Sequence, residues 1–354
     1  MDYIADSLNR AGRYVHIVSP AWIKESNSFF KIVFQRTSSI KTNQKLTICP
    51  SISSKFRFVS LINIYISLIW LFVWLLINTK KNERILIYHS PFYGRVVTYL
   101  KYLKNIEIVL EVEEIYSEVW NISKHSIKLE KQLLRIADYF IAVSNDLSKK
   151  LGDKTLAVVY GNYKISDELI ANNWSNDQLI NVIYAGSLDY TRGGAINSVK
   201  VAKFLPRNYT MHICGGGTKE EVSNLQAEID LINSNKGRVI CYYHGLLTGV
   251  ELQNLLHRCH IAINPQYTGE YMDSAFPSKI VFYLSNNLRV VSSKIKSIEE
   301  SPFSQYIEFS NDSSIESFAE AIKRIDSSNH FEIKRLFNEL DDEFVNNLSL
   351  AFKS

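Results

Sequence analysis

The sequence predicts an α/β protein built from two parallel-sheet domains, on three observations. Short apolar runs alternate with helical patterns along most of the chain, which is the signature of βαβ units. A length of 354 residues is too great for one ordinary domain and comfortable for two. A polar stretch near 165–180 interrupts the alternation once, as a linker does.

Taken in order, strand-like runs cover 15–18, 46–49, 84–88, 106–112, 139–143 and 157–160 in the first half. In the second half they cover 182–185, 210–214, 238–242, 261–263 and 288–292. The runs 46–49 and 84–88 read as strands of one first sheet. Helical periodicity fills 127–137 and 250–259, and 220–232 reads as a surface helix with an acidic start. Residues 330–352 place Leu336, Phe337, Leu340, Phe344 and Leu348 at helical spacing. That apolar face must pack on something, most simply back across the domain junction. The expected boundaries are therefore 1–165, 166–329 and a closing helix at 330–354.

Residues 58–77 (FVSLINIYISLIWLFVWLLI) run for 20 residues without a charge, about the length that spans a bilayer. A span would put the strands on either side of it on opposite sides of a membrane. Lys55, Arg57, Lys80, Lys81 and Arg84 flank the run, and Tyr65, Trp70, Phe72 and Trp74 are spread around it. Amphipathic aromatics with basic flanks suit a helix lying in the plane of an anionic membrane surface, with burial on the sheet as the alternative. Charge agrees with docking. Residues 1–80 carry a net +7 of the chain's +4, leaving −3 for the rest. No dense basic run with interleaved aromatics points to nucleic acid. The four cysteines lack metal or redox spacing and read as buried thiols of a reducing compartment. Residues 1–15 are mixed and polar, so no leader is expected.

The densest chemistry lies in FPSKIVFYL (276–284), followed by the strand-like LRVVS (288–292). A Pro-Ser pair opening an apolar helix presents backbone N–H groups to an anion, at the edge of an α/β sheet where ligands bind. A second loop, YAGSLDYTRGG (184–194), also follows a strand. It carries Arg192 between its glycines. Two such loops suggest a nucleotide-diphosphate site in which Arg192 and Lys279 supply the cations. Gly215, Gly216 and Gly217 permit close backbone approach. His244 follows another strand and reads equally as a structural histidine. The absence of GxGxxG disfavours a dinucleotide oxidoreductase. No metal-ligand spacing occurs, so neither a metal nor another cofactor is expected. In the first half, Glu113 and His89 stand at strand ends, as candidates for polarising a hydroxyl or as structural groups.

Four ordered segments carry a resemblance: 184–194, HICGGG (212–217), YYHGLLTGVELQNLLHRCHIAINP (242–265) and FPSKIVFYLSNNLRVVSS (276–293). HSPFYG (89–94), LEVEEIYSEVW (110–120) and 130–151 echo it in the first half. Together they resemble the retaining family 4 (group 1) glycosyltransferases of the GT-B fold, over nearly the whole chain. The resemblance implies two Rossmann-like domains facing across a cleft, acceptor side first. Donor-binding positions would be Gly186, Ser187, Arg192, Gly215, Gly216, His244, Asp273, Pro277, Ser278, Lys279 and Ile280, with Glu113 and His89 on the acceptor side. Implied partners are a nucleotide-sugar and a lipid-linked saccharide acceptor, in polysaccharide synthesis at the cytoplasmic face of a cell membrane.

The chain departs from that pattern in four places. Ser274 and Phe282 stand where the family often has two glutamates, and Asp273 is the substitute for the first. Ser187 replaces an arginine. Glu113-Glu114 stands where a histidine is common. The family's first strand has no counterpart before the helix-like opening, so the first domain is expected to lack it, whether through an upstream start or a truncated, weak or inactive form. Two other readings are a non-catalytic glycosyltransferase-like subunit and a GT-B sugar-nucleotide epimerase.

Overall fold

The computed structural model describes residues 2–20, 31–53, 57–119, 122–165, 179–269, 275–326 and 333–352. The chain forms two compact units. The first comprises Met1–Val143, Leu147–Val159 and Asp342–Ser354, and the second Ser144–Asp146 and Tyr160–Asp341. The polar stretch 166–178 lies outside the described residues.

The first unit opens with α1 (Asp2–Arg10), β1 (Val15–Ser19), β2 (Lys31–Val33), β3 (Arg36–Lys41), β4 (Gln44–Ile48), β5 (Ser51–Ser53) and α2 (Arg57–Asn78). It continues with β6 (Arg84–Tyr88), α3 (Gly94–Lys104), β7 (Glu107–Val112), α4 (Tyr116–Val119), α5 (Lys124–Ile136), β8 (Tyr139–Ala142), α6 (Asn145–Leu151) and β9 (Thr155–Val158). Strands β6-β7-β8-β9 make a parallel sheet. Its core is Leu100, Ile108, Leu110, Val112 and Leu133. A separate sheet, β1-β4-β3, pairs β1 with β4 in parallel and folds β3 back as a hairpin through Asn43, whose φ is +59°. This corrects the sequence reading, because β4 and β6 do not share a sheet. Among the described residues no strand pairs with both β1 and β6, so the two ladders stay apart. The apolar β6 is mostly half-buried for the same reason, while its neighbour β7 is almost wholly buried.

Helix α2 is two-faced. Asn63, Ser67 and Leu71 are buried, and Asn63 Oδ1 accepts the Ile52 N–H at 2.7 Å. Trp74 meets His16 edge-on at 4.8 Å, with Trp70 beside it. The half-buried indoles therefore lean on the first unit, while Tyr65 lies on the outer face, so the aromatics are spread around the helix. The outer face carries Phe58, Ile62, Tyr65, Ile66, Ile69, Val73 and Ile77, all exposed. Arg84 is not a flanking charge either: it pairs with Glu107 and lies over the Tyr139 ring. Among the described residues no helix meets the requirements of a membrane span, and α2 commits one face to the first unit.

The second unit runs β10 (Ile180–Ala185), α7 (Gly194–Ala202), β11 (Tyr209–Cys214), α8 (Lys219–Lys236), β12 (Cys241–Tyr243), α9 (Gly249–Leu256) and β13 (Ile261–Asn264). Then come α10 (Lys279–Ser285), β14 (Arg289–Ser292), α11 (Lys296–Glu299), β15 (Ile307–Phe309), α12 (Ile315–Arg324) and α13 (Ile333–Ala351). Its sheet is wholly parallel, in the order β12-β11-β10-β13-β14-β15. That is the doubly wound order, whose switch point lies between β10 and β13. Val182, Tyr184, Met211, Ile213 and Ile263 pack against α7, α8 and α12 on one face. Helix α8 starts on a capping box, Thr218 with Glu221, as its acidic first turn requires. The strand expected at 238–242 begins later, at Cys241, because Asn233 takes up the Ile240 and Cys241 N–H groups.

Helix α13 contributes to both units. In the second, Phe337 lies 5.6 Å from Phe303 and 6.1 Å from Tyr163. In the first, Phe344 stacks on Tyr3 at 5.7 Å.

Candidate functional site

In the second unit the loops after β10, β11 and β12 are sewn together at the carboxyl edge of the sheet. Gly186 donates to Cys214 O at 3.0 Å, Leu188 to Gly216 O at 3.1 Å and Gly215 to Gly245 O at 2.8 Å. Tyr243 adds a bond from its hydroxyl to Gly215 O at 2.9 Å. The approach needs glycine at two places. Gly215 has φ +151°, and a Cβ there would stand 1.7 Å from Gly186 O. At Gly193, φ is +72°, and a Cβ would meet the Tyr267 ring at 2.5 Å. Within 186–193, Asp189 Oδ1 accepts the Thr191 N–H and hydroxyl, bending the loop toward Arg192.

Helix α10 is locked onto the end of β10. The Tyr283 hydroxyl accepts the Ala185 N–H at 2.8 Å and donates to Ala185 O at 3.0 Å. One turn earlier, Lys279 Nζ donates to the Tyr184 hydroxyl at 3.0 Å and lies 4.3 Å from the centre of its ring. Tyr184 in turn donates to Ser187 O at 2.9 Å. Burial pushes the Lys279 ammonium down to about 7, and the Arg192 charge adds to the fall. Two cations thus share the head of a glycine-lined loop, where an anion of two or more charges would relieve both.

Several expected donor residues play other parts. Ser278 is exposed and its side chain does not cap α10. The Ile280 N–H is spent on Pro277 O at 2.9 Å, and Ile280 itself is buried in the core. The helix is only seven residues long, so the Lys279 side chain rather than the helix end carries the positive charge. Ser187 Oγ accepts the Asp189 N–H at 3.2 Å within its loop. A Cβ on Gly216 would stand 3.7 Å from the Leu246 side chain, in ordinary contact, so this position does not require glycine for space. His244 Nε2 lies 3.0 Å from Nδ1 of His212, which also reaches Asn181. Burial lowers both histidines, His212 to about 4, and their rings stack at 5.2 Å. Asp273 lies outside the described residues.

In the first unit, β6 and β7 bring His89 and Glu113 to one sheet edge. Glu113 is exposed and accepts a bond from the Tyr88 hydroxyl at 3.1 Å. Tyr116 donates to Tyr88 in turn at 3.4 Å. His89 is buried at 1% exposure, its Nδ1 3.0 Å from Glu114 O and its Nε2 3.5 Å from Glu130. Burial lowers its pKa against the pull of Glu130. Glu130 is fully buried and accepts the N–H groups of Tyr116 and Ser117. His89 and Glu130 therefore hold the loop that carries Glu113, and only Glu113 faces solvent. Glu111 is also buried, and desolvation pushes it up to about 7.

Tyr184, Tyr283 and Glu130 escaped the sequence reading. For Tyr283 a signal exists, since it follows Lys279 by four residues and so shares its helical face. The described cysteines are all buried and free. Among the described residues no group of three or more His, Cys, Asp or Glu is placed to hold a metal.

No protein-family model matches the sequence, and a sequence comparison with curated proteins gives no match. Solved structures do match. A sucrose-phosphate synthase from Thermosynechococcus elongatus superposes with TM-score 0.67 at 12% identity, over 99% of this chain and 88% of that one. The Escherichia coli trehalose-6-phosphate structure bound with UDP-2-fluoro glucose gives 0.63 at 14% identity, over 99% and 94%. The lipopolysaccharide outer-core galactosyltransferase WaaB gives 0.57 at 14%, over 87% and 83%. At such identity these likenesses establish the fold, which is GT-B.

Proposed function

We propose that the protein is a retaining hexosyl glycosyltransferase of the family 4 type, independent of metal. The observation that carries this reading is the pairing of Lys279 and Arg192 at the head of a glycine-lined loop, in the second unit of a GT-B chain. A nucleotide-sugar donor leaves as a nucleoside diphosphate, and its growing negative charge needs cations in a partly desolvated site. Lys279 and Arg192 fill that role. The bond from the sugar's anomeric carbon to the phosphate oxygen breaks as the acceptor oxygen bonds to the same carbon on the same face. Glu113, the exposed carboxylate of the first unit, accepts the hydrogen bond that orients the acceptor hydroxyl, and the hydroxyl proton passes to the departing phosphate oxygen. One structural neighbour holds a UDP-sugar analogue, which supports a nucleotide-sugar here.

The acceptor we propose is a lipid-linked saccharide at the cytoplasmic face of an anionic membrane, in polysaccharide synthesis. The outer stripe of α2, the exposed Lys80 and Lys81 beside it and the basic first fifth of the chain support this. A neighbour acting on lipopolysaccharide is consistent with it.

The deciding experiment screens UDP-, GDP- and dTDP-sugars by thermal shift on the wild type, Arg192→Ala and Lys279→Ala. A ligand at a hundred times its Kd adds about 2.7 kcal/mol. A shift with one nucleotide that both variants lose is expected; no shift with any would overturn the reading. Phe282, standing where the family often has a carboxylate, favours one second reading, a non-catalytic subunit. Donor binding without turnover would select it.

A further inference from the structure

We infer that Tyr184 is a positioning residue: its hydroxyl and ring park the Lys279 ammonium against the Gly186 backbone until an anion enters the loop. This rests on the donor-site reading above.

Lys279 has the Tyr184 hydroxyl at 3.0 Å and the ring face at 4.3 Å, a hydrogen bond and a cation–π contact from one side chain. Among the described residues no carboxylate pairs with it. The hydroxyl's own hydrogen goes to Ser187 O at 2.9 Å, which fixes its lone pairs toward Nζ.

The glycines serve this arrangement. A Cβ on Gly186 would come within 2.9 Å of Lys279 Nζ and 3.2 Å of the Tyr184 hydroxyl. A Cβ on Gly194 would come within 2.5 Å of that hydroxyl. Both positions are empty of side chain because Tyr184 and Lys279 occupy the space. Tyr184 is itself buried at 2% and held in the core of the second unit, so it is a fixed post.

A parked cation is weaker than a carboxylate-paired one and is released by any stronger anion. The fall of Lys279 to about 7 fits a charge held by an aromatic ring and one hydroxyl beside Arg192. Removing the hydroxyl while keeping the ring takes away an acceptor of the charged form, so the titration moves to lower pH.

The test uses the full chain with 13Cε-labelled lysine, Lys279 being assigned by its absence in Lys279→Met. Its titration is followed in the wild type, Tyr184→Phe and Gly186→Ala. Binding of UDP and of inorganic pyrophosphate is measured from pH 6 to 9. Gly186→Ala crowds Nζ most closely, at 2.9 Å, keeps the tyrosine itself and covers the case in which Tyr184→Phe fails to fold. We expect both variants to lower the Lys279 midpoint. Diphosphate affinity should fall about tenfold at pH 8 for each unit of that shift and recover at pH 6. An unchanged midpoint in the variants overturns the proposal, whether or not anything binds. Wild-type protein that binds neither probe, with a Lys279 midpoint that does move, overturns the donor reading alone.

Discussion

Gly215 presses its α-carbon onto the carbonyl oxygen of Gly186, so closely that a side chain on it would begin 1.7 Å from that oxygen. The loops after β10 and β11 therefore meet backbone to backbone, with no room for a side chain between them. Gly215→Ala should cost about 3 kcal/mol, through overpacking and a backbone angle an alanine resists. Urea melts that show less than about 1 kcal/mol of loss would contradict this packing.

Lys279 predicts a pH dependence of stability. Its folded value, about 7, lies below its ordinary 10.5. Between these the unfolded chain binds more protons, so stability rises with pH across that window and is flat for this group below about 7. Lys279→Met should flatten the rise in Tm. A wild-type Tm falling between pH 7 and 10, with no change in the variant, would refute it.

Glu111 works in the opposite sense. Burial raises it from 4.5 to about 7, so between those values the folded chain holds the extra proton and stability falls as pH climbs. Glu111→Gln should remove that decline. Parallel Tm-versus-pH curves for wild type and variant over pH 4.5–7 would show the assignment to be mistaken.

The loop that carries Glu113 hangs on Glu130, which is buried and accepts two backbone N–H groups. Glu130→Ala strands those donors and should cost about 3 kcal/mol. Glu113→Gln, at an exposed site, should leave stability within about 0.5 kcal/mol and lower turnover instead. Denaturant melts and sugar transfer measured on the same two variants separate these effects.

The outer face of α2 gives a prediction about surfaces. Phe58→Asp with Ile69→Asp should leave folding intact, since both residues are exposed. Flotation with phosphatidylcholine vesicles, with and without phosphatidylserine, should show wild-type protein on the anionic vesicles and the variant in the bulk. Equal flotation of the two would exclude this face as the docking surface.

Much of the fold was legible in the chain. A buried parallel strand must be apolar on both faces, so runs such as 182–185 and 261–263 stand out as they do in β10 and β13. Arg192 was legible because a loop that bends at glycine after a strand announces itself locally, and Lys279 because a Pro-Ser pair opens its apolar helix. The hairpin of β3 was not, because its strand is exposed and polar. Nor was the separation of β4 from β6, since strand pairing is a property of neighbours distant in sequence.

By itself the sequence determined the α/β class, the two-cation loop pair and the apolar α2, because periodicity, turn chemistry and charge are local. Only the tertiary structure decided that His89 is buried, that His244 meets His212, that α2 turns Asn63, Ser67 and Leu71 in and Phe58, Tyr65 and Ile69 out, and that Tyr184 meets Lys279 across 95 positions. The reason is physical. Burial, and with it the pKa and the partner of a side chain, depends on which distant segments close around it, and no local pattern encodes that packing.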